Sequence, residues 1–162
     1  TKSASRCFDE LEYLNIDVLG MKGKSRVINI PDDREQLWQQ IENVLRNPVI
    51  RRFVLREDKK LEKKAGISAL CEYSLLSDNV YPTYAVTKKE LKDSGVKVEK
   101  QVSELEEIGC VVLELGYFID FLGKGFQDPL SVVLSFTGEE QEEERVDISI
   151  NEMLEEYVWS KD

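Results

Sequence analysis

Pro31-Asp32 and, further along, Glu57-Asp58-Lys59 supply the residue types of a divalent-metal nuclease site, in which an Asp and a Glu hold the ion and a Lys positions the attacking water. That chemistry wants both carboxylates at adjacent strand ends. Asp32 instead reads as a helix cap, and Glu57 and Lys59 stand where a strand gives way to a polar helix. A metal nuclease is therefore kept as a second alternative, while no catalytic residue, metal or cofactor is assigned. The chain has no His, which excludes His acid-base catalysis, His metal ligation and a Ser-His-Asp triad. Cys7, Cys71 and Cys110 match no zinc spacing and leave one thiol over in any disulfide scheme, which points to a reducing, intracellular compartment, cytoplasmic or nuclear. Gly20, Gly23, Gly123 and Gly125 lack the flanking residues of a phosphate loop.

Charge is distributed unevenly over the 162 residues, whose net charge is -10. Residues 46 to 64 hold eight Lys and Arg against three Asp and Glu, whereas residues 139 to 162 hold two against ten. The basic stretch supplies Arg51, Arg52, Arg56, Lys59 and Lys60 as candidate phosphate contacts. The competing reading is a solvated helix end together with pairing to the acidic remainder of the same chain. The run Glu139 to Glu144 reads as a self-repelling loop. Tyr73, Tyr81, Tyr84, Tyr117 and Phe118 have no basic residues interleaved, so they read as core or hairpin surface rather than a base-stacking platform.

The elements that must position these groups follow from apolar periodicity. Leu14 to Val18 and Val27 to Ile30 alternate around a Gly-rich turn, which predicts a β-hairpin. Asp32 and Glu35 predict a capped helix carrying Leu37, Trp38, Ile41, Val44 and Leu45, ended by Asn47-Pro48. A strand follows from Val49 to Leu55, then a helix from Lys59 to Ser77. In the second half, Tyr81 to Val86 predicts a short strand. Thr87 and Glu90 form a T-x-x-E capping box at the start of a helix over 88 to 94. Val98, Val102, Leu105 and Ile108 mark a second helix over about 96 to 107, closed by Gly109. Two strands, 110 to 122 and 130 to 136, complete a hairpin, and a strand over 146 to 150 precedes a helix over 151 to 159.

Thr87-Lys88-Lys89-Glu90-Leu91 with its Gly95 turn, followed by Leu105-Glu106-Glu107-Ile108-Gly109-Cys110-Val111, resembles the winged helix-turn-helix superfamily. The resemblance covers residues 65 to 136. It implies a recognition helix over 96 to 107 presenting Lys97 and Lys100, with Lys124 at the wing tip, and such domains serve as DNA readers or as protein-docking modules. Glu99, Glu104, Glu106 and Glu107 crowd that helix, and residues 65 to 138 contain no Arg, the commonest guanine reader.

The resulting expectation is an α+β fold. A β-β-α-β unit over 1 to 60 packs with a winged-helix-like unit over 61 to 138. An acidic loop, strand and C-terminal helix follow over 139 to 162, with a single shared core as the alternative, since no linker separates them. The expected function is a non-enzymatic protein-interaction adaptor or regulatory subunit in a nucleic-acid-associated assembly. A DNA-binding transcriptional regulator using helix 96 to 107 and the wing is the first alternative. Another protein subunit is the expected partner, with weak or indirect nucleic-acid contact. No apolar run is long enough to span a membrane. Met153, Leu154, Tyr157, Val158 and Trp159 are the candidate partner contacts, with closure of the chain's own core as the competing reading, and the acidic side of the same helix, Glu152, Glu155 and Glu156, is expected to face solvent or the basic face of a partner.

Overall fold

The computed structural model describes residues 2 to 16, 18 to 94, 108 to 120 and 122 to 160. The fold is α+β, and the chain divides into two compact units, Thr1–Leu45 and Arg46–Asp162.

The first unit opens with a helix that periodicity did not mark, α1 (Lys2–Tyr13). Arg6 pairs with Glu10 one turn on, and Asp9 accepts from Arg26 at 2.7 Å. Asn15 ends the helix in the left-handed region at φ 52°. The hairpin is present but lies further along than expected: β1 (Leu19–Lys22) pairs with β2 (Ser25–Ile28) about Gly23, whose φ of 65° favours glycine. Since α1 and its exit consume residues 14 to 16, the first strand moves into the stretch expected to be turn. α2 (Arg34–Ile41) is capped by Asp33, not Asp32, whose carboxylate accepts from the Gln36 N–H at 2.9 Å. Ile16, Val18 and Trp38 are this unit's buried large apolar side chains among the described residues.

The second unit is built on a three-stranded sheet. β5 (Cys110–Leu115) lies in the middle, antiparallel to β3 (Val49–Leu55) and parallel to β4 (Thr83–Thr87). β3 therefore belongs with this sheet rather than with the hairpin. The helix expected over 59 to 77 is shorter, α3 (Gly66–Tyr73). Residues 63 to 65 instead run beside β4, where Lys63 C=O accepts from Ala85 N–H and Ala65 N–H donates to Thr83 C=O. A turn at Lys60 (φ 47°) and a left-handed Gly66 (φ 51°) keep them out of a helix.

The strand expected over 130 to 136 is a helix, α5 (Pro129–Ser135). Asp128 accepts from the Ser131 N–H and Pro129 occupies the first turn, a start signal that outweighs the β-branched content. The hairpin expected between 110 to 122 and 130 to 136 is consequently not formed. α6 (Gly138–Gln141) occupies part of the Glu-rich run expected to be loop, under a capping box of Thr137 and Glu140. The strand expected over 146 to 150 is also helix, within α7 (Glu144–Leu154), which continues as a π-helical turn, Glu155–Trp159. Val146, Ile150, Met153 and Leu154 fall at i, i+4, i+7 and i+8, so they form one helical face and are buried. They pack with Leu70, Tyr73, Phe126 and Val132 from α3, the loop before α5, and α5. Described residues on both sides of the 138/139 boundary thus share one core.

At the start of α4 (Lys88–Asp93), Thr87 and Glu90 form both halves of the expected capping box. Lys63 donates to the Glu90 carboxylate at 2.5 Å and Thr87 N–H at 2.8 Å, which together hold its pKa down to about 2 from the ordinary 4.5. A depressed carboxylate stabilises the fold fully above the unfolded value and loses that contribution as pH falls from about 4.5 toward 2. Urea midpoints measured across this window are expected to fall less steeply in Glu90→Gln than in the unaltered chain; parallel curves would show that the pair is energetically silent.

The helix expected over 96 to 107, with Lys97, Lys100 and Leu105, lies outside the described residues. Ile108 is half-buried.

Candidate functional site

The cations of the basic segment are largely engaged inside the chain. Arg51 and Glu114 are cross-strand neighbours on β3 and β5, and the guanidinium donates to the carboxylate at 2.6 and 2.5 Å. Glu114 is only 3% exposed, so Arg51 compensates a buried charge. Arg52 makes a forked pair with Glu140 on α6, at 2.6 and 2.9 Å. Burial opposes ionisation of Glu140, but Arg52 and the Thr137 N–H outweigh it and lower its pKa. Lys63 is held by Glu90, Lys64 by Glu72, and Lys59 by Glu57 at 2.7 Å. Arg56 and Lys60 are exposed, and Lys124 is exposed in a loop that the Asp120 carboxylate closes by accepting from the Lys124 and Gly125 N–H groups. Pairing within the chain engages at least five of the segment's eight cations, four of them with carboxylates outside the segment.

Asp32 belongs to the first unit and caps nothing, while Glu57 and Lys59 bond to each other in the second. Among the described residues no three His, Cys, Asp or Glu side chains are grouped to hold a metal ion, and no helix is long and apolar enough to cross a membrane.

Of the candidate partner contacts, Met153 and Leu154 are buried in the core formed with α3 and α5. Tyr157, Val158 and Trp159 are half-buried against that core, and the Tyr157 ring meets the Tyr73 ring edge-on with centroids 5.1 Å apart. The surface that the C-terminal helix presents is the acidic one. Glu152, Glu155 and Glu156 are exposed, and among the described residues none has a cation at ion-pair distance.

These carboxylates form one wall of a cleft of about 730 Å³. The end of α3 forms the other, with Glu72, Ser74 and Leu75, and Tyr73 and Tyr157 also line it. Leu75 is 100% exposed at its rim. Burial is the main cause raising the pKa of both Tyr73 and Tyr157, so the phenols remain neutral. Uncharged aromatic rings beside unpaired carboxylates can take an alkylammonium or guanidinium group by cation–π and ionic contacts. Glu152, Glu155 and Glu156 were legible as the polar side of the C-terminal helix. Glu72 and Leu75 were not, because a helix running through Ser77 would have turned Leu75 inward.

No family model, curated protein or solved structure matches the chain.

Proposed function

We propose that the chain is a non-enzymatic protein-interaction adaptor or regulatory subunit. The observation carrying this reading is the contrast in pairing: Arg51, Arg52, Lys59, Lys63 and Lys64 are engaged by carboxylates of their own chain, whereas Glu152, Glu155 and Glu156 have no cation at ion-pair distance among the described residues. Phosphate binding would have to compete with ion pairs already formed, one of them to a buried Glu114. Among the described residues no cation occupies the acidic wall, and of its three carboxylates Glu156 is hydrogen-bonded by the neighbouring Tyr157. Association of the assembly with nucleic acid rests on the winged helix-turn-helix resemblance alone.

A DNA-binding regulator is the second reading, favoured by the exposed Lys88, Lys89 and Lys92 on α4. Fluorescence anisotropy with labelled random duplexes separates the two. Micromolar or weaker binding is expected, declining steeply with salt and indifferent to sequence. Submicromolar, sequence-selective binding at physiological salt, lost in Lys88→Glu/Lys89→Glu, would replace the adaptor with the regulator. In parallel, the tagged full chain recovered from its native cell should bring down a protein that, once purified, re-forms a complex of fixed stoichiometry.

A further inference from the structure

Two features of the cleft are independent of each other. Its acidic wall has no cation at ion-pair distance among the described residues. Its rim carries Leu75, an apolar side chain wholly in water on the residue immediately after the α3 cap, Ser74, which donates to the Leu70 carbonyl at 2.9 Å. Leu75 is therefore presented from an anchored position. A free polyamine or metal ion would satisfy the carboxylates and leave Leu75 in water. An occupant that covers both must carry cationic and apolar groups on one surface.

We infer that this cleft receives a basic amphipathic segment of a partner protein, with Lys or Arg side chains against Glu152, Glu155 and Glu156 and an apolar side chain against Leu75. The inference rests on the adaptor reading and names the chemistry of its partner. Charge complementarity selects a basic occupant, and the 730 Å³ volume accommodates several side chains rather than one. The face that would otherwise bind by hydrophobic contact, Met153 and Leu154, is already consumed by the core, so recognition is assigned to the polar side of the same helix. Electrostatics would then speed encounter, and the Leu75 contact would set the lifetime of the complex.

The test uses the full chain and a helix-forming peptide of about 15 residues with lysines flanking a leucine stripe. Titration calorimetry at physiological salt is expected to show binding. Glu152→Lys/Glu155→Lys should weaken it at least about tenfold and Leu75→Ser about fivefold. Glu139→Lys/Glu142→Lys, which changes net charge equally at exposed positions outside the cleft, should leave it unchanged. Spermine at equal concentration should displace little peptide. The inference fails if the peptide does not bind, if both charge-reversal pairs weaken it alike, or if spermine displaces it while Leu75→Ser has no effect. Thermal melts that coincide for all variants keep these results free of misfolding. A purified native complex that survives Glu152→Lys/Glu155→Lys would leave the adaptor reading standing and remove this cleft from it.

Discussion

Deleting residues 151 to 162 is expected to unfold the second unit rather than to release a partner from an intact one. The deletion removes Met153, which is 0% exposed, and Leu154 from a core they share with Leu70, Tyr73, Phe126 and Val132. It also strips the half-buried Tyr157, Val158 and Trp159 from the outside of that core. Met153→Ala alone should cost about 2 to 5 kcal/mol, through lost transfer energy and an unfilled cavity. A domain stabilised by about 5 to 15 kcal/mol in total does not tolerate loss of the whole helix end. Circular dichroism melts of both variants test this directly. A shortened chain that kept its cooperative transition and midpoint would return the apolar stripe to the role of a docking element.

Gly109→Ala should destabilise by about 1 to 3 kcal/mol or more, because the fold brings backbone against it. An added Cβ would stand 2.3 Å from the Glu57 carbonyl carbon and 2.4 Å from the Asp58 amide nitrogen. Neither atom belongs to a flexible side chain that could swing away. The Gly109 N–H also donates to the Leu55 carbonyl at 2.8 Å, which ties the start of β5 to the end of β3. Gly123→Ala makes the contrast, since it has open space about its Cβ and only a φ of 64° against it. Denaturant midpoints should fall further for Gly109→Ala than for Gly123→Ala. The reverse order would mean that the loop over 56 to 58 yields easily. The helix that Gly109 was expected to close lies outside the described residues; what the structure adds is the close approach of the loop over 56 to 58.

What the sequence determined by itself was local. The capping box of Thr87 and Glu90 needs only residues three apart, so it was readable and is formed. β3 and β4 were readable because their apolar runs are short and bounded by turn residues, and the acidic face of the C-terminal helix followed from helical spacing alone. Two other short apolar runs, in the C-terminal part of the chain, were where local reading failed. Residues 130 to 136 and 146 to 150 satisfy strand and helix patterns alike, and what selected helix was burial against α3 together with the Asp128 cap. The partners of the basic segment were likewise decided by tertiary structure. Glu114, Glu140, Glu90 and Glu72 lie far from Arg51, Arg52, Lys63 and Lys64 in sequence or across a chain reversal, and only strand pairing and helix packing bring them within 4 Å. An ion pair is a property of distance in space, to which charge counts along a chain are blind. The cleft depends on the same step, because its two walls, residues 72 to 75 and 152 to 157, meet only when α7 folds back across the end of α3.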